Sequence, residues 1–265
     1  MKKALLWIFA LLLTLAAVYY TRTTGPTKPV KGKVEIAGQT VEYSLIRTFP
    51  RPMDAPVRIT VIDESVSGYY RYKRTPSHDE WTESPLVRKD KQLIAYLPQQ
   101  PAAGKVAYQI TLTSDDEEAL LTADPIVLRF RNNVPAWAMI PHILLMFAAI
   151  FLSTRAGLAG IFAQKTYGLT LATLIVLVAG GLIFGPIVQK YAFGDFWTGW
   201  PFGTDLTDNK TAVMFVFWLA AFFRVRKNPR DRWWVLAAAV VTMIAYLIPH
   251  SLMGSEIDFT QEVPQ

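Results

Sequence analysis

Five apolar blocks govern what this chain can fold into. They run from about Ala4 to Tyr20, Trp137 to Leu152, Leu169 to Val188, Ala212 to Phe223 and Trp233 to Pro249. A membrane helix needs roughly 17–25 mostly apolar residues to cross about 30 Å of hydrocarbon. The fourth block is short by that measure and must borrow Thr211 and flanking loop. Composition points the same way: 52% of the 265 residues are hydrophobic and 18% are charged, against about a quarter charged in soluble chains. The apolar residues gather in the blocks, so membrane spans account for them better than one large soluble core.

Charge sets the expected orientation. Lys2, Lys3, Arg155, Lys165, Arg224, Arg226, Lys227, Arg230 and Arg232 border alternate blocks, with Asp231 the one acid among them, a net of +8. The other 18 basic and 20 acidic residues net −2. Positive loops stay in the cytoplasm. Residues from about Thr21 to Pro135, the Lys190–Lys210 loop and the tail after His250 are therefore expected outside a bacterial inner membrane. The overall +6 is then a topology signal, and nucleic acid is not expected as a partner. With no cysteine, disulfides, thiolate metal sites and covalent c-type haem attachment are excluded.

The expected organisation is a multi-domain membrane protein. Residues 1–20 form a transmembrane anchor, 21–30 a linker, 31–132 an all-β sandwich, 136–250 a four-helix transmembrane bundle and 251–265 an extracytoplasmic tail. A cleaved signal peptide is the alternative for 1–20, but Leu15-Ala16-Ala17-Val18 followed by Tyr19-Tyr20 offers no clean small-x-small site. Within the β-region, Lys33–Ile36 and Thr40–Ile46 flank Gly38 as in a hairpin. Val57–Ile62, Gly68–Lys73, Leu93–Leu97, Val106–Thr113 and Pro125–Phe130 continue the series. Short β-rich runs punctuated by Pro and Gly indicate a sandwich. The Gly68-Tyr69-Tyr70-Arg71-Tyr72-Lys73 strand leading to Trp81 resembles fibronectin-III and immunoglobulin-like modules. That resemblance implies partner binding through loops such as Pro76–Pro85, with Trp81 either anchoring a partner or covering the sandwich end. His78, in the same polar loop, reads as an ordinary solvated residue.

Two other histidines fall at the expected outer face. His142 lies just inside Trp137 and His250 closes the fifth block. Ionisable side chains at membrane depth usually face a cavity or a partner, and imidazole ligates haem iron or transition metals. Between the third and fourth blocks runs Tyr191-Ala192-Phe193-Gly194-Asp195-Phe196-Trp197-Thr198-Gly199-Trp200-Pro201-Phe202-Gly203-Thr204-Asp205. This loop resembles the tryptophan-rich, W-G-x-x-W-x-W-D haem-handling loop of cytochrome c assembly proteins, which membrane histidines flank. The resemblance implies a haem site formed by Trp197, Trp200 and Asp205, with His142 and His250 as ligands. An aromatic belt at the lipid boundary is the reading that needs no cofactor.

Gly181 and Gly185 form G-x-x-x-G, suited to close helix approach or to a flat cofactor. Asp208 reads as a helix cap, a cation site with Asp205 and Asn209 being the alternative. His250, Glu256 and Asp258 are candidate metal ligands. No catalytic motif appears, so whether the chain is an enzyme stays open. The expected function is a non-enzymatic membrane component that binds a protein partner through its outer domain. A membrane oxidoreductase or haem-handling protein using His142 and His250 is the alternative. The whole layout resembles bacterial inner-membrane proteins of uncharacterised function that join a sandwich domain to a helical bundle.

Overall fold

The computed structural model describes residues 2–115, 117–249, 254 and 256–261. The chain divides into two compact units. One comprises Met1–Pro26 and Val134–Ser255, the other Thr27–Asn133 and Glu256–Gln265.

In the second unit, strands β1 (Val30–Ile36) and β2 (Gln39–Leu45) form an antiparallel hairpin. Its two-residue turn places Ala37 at φ 50° and Gly38 at φ 65°, the left-handed pair that matches the twist of two strands. A larger sheet runs β3 (Thr48–Pro50), β11 (Ile126–Arg131), β9 (Lys105–Ser114), β5 (Ser67–Arg74), β6 (Thr82–Pro85), with β10 (Glu117–Leu120) also paired to β9. A third runs β4 (Ala55–Thr60), β8 (Gln92–Leu97), β7 (Val87–Lys89). Every pairing is antiparallel except β3 with β11.

Period-2 alternation explains what each strand buries. Ala55, Val57 and Ile59 of β4 point inward, as do Ile126, Leu128 and Phe130 of β11. They meet Ile36, Val41, Leu45, Leu93 and Leu97 in one apolar core. Each fully buried Leu, Ile or Phe contributes about 1.5–3 kcal/mol. Strand β9 breaks the alternation because it is covered on both faces. Its polar Gln109 is satisfied there, donating to the carbonyls of Thr122 (3.2 Å) and Ala123 (2.9 Å). Tyr108 donates to Ile46 O at 2.8 Å, and burial pushes its hydroxyl well above the usual phenol range.

Residues 256–261 of the tail belong to this unit. Phe259 is buried, its N–H donates to Pro76 O at 3.1 Å, and the Arg74 guanidinium lies 4.6 Å from its ring. Lys105 pairs with Glu256, and Arg74 is held by Asp79 at 2.7 and 3.0 Å. The Arg74 hydrogen bonds keep the Asp79 carboxyl below its usual range. Bonds from Thr260 do the same for Asp258. A carboxyl with a depressed folded pKa stabilises fully above its unfolded value of about 3.9. That stabilisation is lost as pH falls through the folded value, so the tail is expected to loosen in acid below about pH 4. Phe259→Ala should release it at neutral pH. Hydrogen exchange over residues 256–261 is expected to rise about ten- to hundredfold, the equivalent of losing a buried aromatic ring, with β9 unchanged.

The first unit is helical: α1 (Lys2–Thr24), α2 (Ala136–Ile161), α3 (Tyr167–Leu177), a π-helical segment (Val178–Phe184), α4 (Gly185–Phe193), α5 (Leu206–Lys227) and α6 (Arg232–Leu247). Among the described residues, three helical stretches are long and apolar enough to cross a membrane: Lys3–Thr24, Ala136–Ile161 and Tyr167–Phe193. Helix α6 is a shorter apolar helix. Two helices outrun their apolar blocks furthest. Helix α5 has 22 residues, about 33 Å at 1.5 Å per residue, and takes in Asp208 and Lys210 at its start. Helix α2 continues to Ile161, so Arg155 lies inside a helix rather than in the loop expected from the block. The buried Arg155 guanidinium sits 5.1 Å from the Trp7 ring and donates to Gln164 at 2.8 Å.

The π-helical segment has a local cause. Pro186 offers no N–H and crowds the carbonyl four residues back, so the helix widens one turn earlier and Gly185 N–H reaches Gly180 O. Small residues fix the packing. A Cβ on Gly180 would lie 2.8 Å from Leu145 Cβ, and one on Gly157 2.7 Å from Ala239 Cβ. Trp218 is fully buried and donates to Thr242 Oγ1 at 2.8 Å.

Candidate functional site

The 194–205 loop is fastened by side chains from the start of α5. Asp208 is buried, and its Oδ2 accepts from Thr198 N (2.7 Å), Gly199 N (3.0 Å) and Gln189 Nε2 (3.0 Å). Asn209 Oδ1 accepts from Trp200 N at 2.6 Å. The capping role expected of Asp208 falls to Asp205, whose Oδ1 accepts from Thr207 N at 2.7 Å. Asp208, one turn further on, faces back into the loop instead. An acidic group is favoured there because the helix N-terminus carries positive partial charge. Gly199 is required by this closeness: a Cβ would fall 2.5 Å from Asp208 Cβ. Lys210, also buried, donates to Ile248 O at 2.6 Å, satisfying a carbonyl at the end of α6.

The residues singled out in the sequence therefore have unequal surroundings. Trp197 donates to Trp200 O at 3.1 Å, a bond within the loop, while the Trp200 ring is 78% exposed. Asp205 and Asp208 are engaged with the loop backbone and α5. His142 sits apart from them, with Nδ1 2.9 Å from Gly180 O. A carbonyl can only accept, so Nδ1 carries the proton and a neutral ring keeps its lone pair on Nε2. That is how metal-binding imidazoles are commonly oriented. No hydrogen bond joins His142 to the loop among the described residues. Of the G-x-x-x-G pair, Gly181 is closely packed, since a Cβ there would fall 2.9 Å from Thr211 Cγ2, whereas one on Gly185 would lie at ordinary contact distance, 3.7 Å, from His142. His250 lies outside the described residues. Among the described residues no cluster of three metal-ligating side chains occurs: Glu256 pairs with Lys105, and Asp258 Oδ1 accepts from Thr260 N at 2.9 Å.

The β unit holds a separate feature. Trp81 lies across the basic face of β5, with the cations of Arg71 and Lys73 at 5.0 and 5.3 Å from its ring. Such cation–π contacts contribute about 0.5–1 kcal/mol when exposed. Beside it opens a polar cleft of about 440 Å³ lined by Tyr72, Lys73, Arg74, Asp79, Glu80 and Gln100, among others. Trp81 was legible as a candidate anchor. The cleft was not, because its walls come from strands and loops distant in sequence. His78 is exposed in the neighbouring loop. No family model, curated protein or solved structure matches this chain.

Proposed function

We propose that the chain is a polytopic protein of a bacterial inner membrane that displays an extracytoplasmic, sandwich-like β-domain of immunoglobulin or fibronectin-III type as a non-enzymatic binding module. The observation that carries the binding role is the cleft beside Trp81. Its walls offer both charges and Thr82 of the edge strand β6, with the clamped Trp81 between wall residues Glu80 and Thr82 in the chain, a surface suited to an extended polar segment of a protein partner. Topology is supported by the tail. Residues 256–261 pack with the β-domain, so the chain between Asn133 and Glu256 crosses the membrane an even number of times. Helices α5 and α6 then cross together or not at all. The basic turn between them, Arg224 to Arg232, favours crossing with that turn inside.

A photo-crosslinking residue at Trp81, tested in living cells, checks the binding role. The expected result is one discrete protein adduct that is absent when the same residue stands at Lys91. Equal, diffuse labelling from both positions would contradict a binding face.

A second reading, cofactor handling at the outer bundle, is favoured by the His142 orientation. It requires a Soret absorbance in protein purified from haem-replete cells that His142→Ala abolishes. Colourless protein that also fails to take up added haem removes it.

A further inference from the structure

The 194–205 loop is built inside out. A solvated loop turns its charges outward and its few apolar groups inward. Here Asp195 at the foot of the loop is exposed as expected, but Asp205 and the neighbouring Asp208 of α5 are buried, whereas Phe196, Trp200 and Phe202 are 56%, 78% and 82% exposed. The tip Trp200-Pro201-Phe202-Gly203 carries no charge.

This exposure is not that of a slack segment. Carboxylate and amide oxygens from Asp208 and Asn209 fix the backbone N–H groups of Thr198, Gly199 and Trp200. Phe202 N and Gly203 N both donate to Gly199 O at 2.9 Å, and Asp205 N donates to Thr198 O at 3.0 Å. The polar groups of the loop are thus spent on holding the aromatic tip in place. Its base lies at the end of a helical stretch long and apolar enough to cross a membrane: α4 ends at Phe193, and Trp137 and Tyr191 stack edge to face at 5.8 Å. Lys190 reaches over the Phe196 ring at 5.4 Å and donates to Gly194 O, an amphipathic arrangement suited to the boundary.

We infer that this loop is a preformed wedge for the lipid interface. Trp200 and Phe202 enter the region between headgroups and acyl chains, and Asp208 acts as the positioning residue that keeps them projected. The Trp200 ring favours that depth because its body is apolar and its N–H polar, and Phe202 adds apolar surface beside it. A rigid wedge loses little conformational entropy on insertion, which is what the buried carboxylate supplies. The occupant is lipid rather than protein, because the tip is apolar, uncharged and contiguous with the end of a helix long enough to cross a membrane.

This inference rests on the membrane reading, and the two fail separately in one experiment. The chain has no cysteine, so Phe202→Cys, Ile175→Cys and Glu64→Cys each give a single attachment point for an environment-sensitive fluorophore. The full chain is reconstituted alone in phosphatidylcholine vesicles, with or without lipids carrying a nitroxide high on the acyl chain. Ile175 is 58% exposed on α3 and should be quenched if that helix spans the bilayer. Phe202→Cys should also be blue-shifted and quenched, and Glu64→Cys should be neither. Adding Asn209→Ala, which frees the Trp200 N–H without touching the buried carboxylate, should reduce the quenching at 202 and leave that at 175 unchanged. Quenching at 175 with a water-like, unquenched 202 overturns the wedge and assigns the tip to a protein partner. An unquenched 175 overturns the membrane reading, and the wedge with it.

Discussion

Asp208→Ala is expected to release the 194–205 loop and to lower the stability of the helical unit by on the order of 3 kcal/mol. The single oxygen Oδ2 takes three N–H donors, from Thr198, Gly199 and Gln189. Each donor left buried without an acceptor costs about 1–3 kcal/mol. Water entering the opened loop recovers part of this, which sets the estimate near the lower end. Asp208→Asn keeps an oxygen able to accept and should lose less. Gly199→Ala should reproduce the alanine phenotype from the other side of the contact, because its Cβ collides with Asp208. Thermal unfolding in detergent, with limited proteolysis between Gly194 and Asp205, reads both effects. A loop as protected in Asp208→Ala as in the parent would show that the carboxylate does not hold it.

Phe130→Ala is expected to cost the β-domain about 3–5 kcal/mol. Phe130 is fully buried in β11, between β3 and β9, and meets Phe49 edge to face at 6.4 Å. A domain of roughly one hundred residues has about 5–15 kcal/mol in total, so this change removes a large part of it. Residues 27–133 expressed alone should fold with a β-type circular dichroism spectrum and a cooperative urea transition. The variant should show a much lower midpoint or none. Tyr96→Ala, at a position 41% exposed, serves as the mild comparison. A helical spectrum, or equal midpoints for Phe130→Ala and the parent, would contradict the core described above.

The contrast between these sites marks what was legible in the sequence. Strands that bury one face announce themselves: Ala55, Val57, Ile59 and Ile126, Leu128, Phe130 alternate because the pleat does. Polar edge strands such as Thr82–Pro85 and Glu117–Leu120 have no such period and are held by pairing to β5 and β9. Apolar blocks located the helices but not their ends. Ser153 to Gly160 are buried by packing against α6 and the rest of the bundle, which no hydropathy pattern reports. The cap expected at Asp208 is supplied by Asp205, because which acid caps and which reaches back depends on the path of the preceding loop. Phe259 carried no signal, since its place against Arg74 is a contact between residues far apart in the chain. The G-x-x-x-G pair left close helix approach and room for a flat cofactor open, and close approach is seen at Gly181. That contact follows from Thr211, which the helix arrangement brings to Gly181, as it brings Leu145 to the neighbouring Gly180.

Cysteine accessibility in intact cells tests the central claim most directly. The chain offers a cysteine-free background for single substitutions at Glu64 in the β-domain, Asn228 in the basic turn and Gln261 in the tail. A membrane-impermeant maleimide should label Glu64→Cys and Gln261→Cys in intact cells, and Asn228→Cys only after permeabilisation. Labelling of Asn228→Cys from outside, or of Glu64→Cys and Gln261→Cys from opposite sides, would contradict a bundle that returns its tail to an outer β-domain.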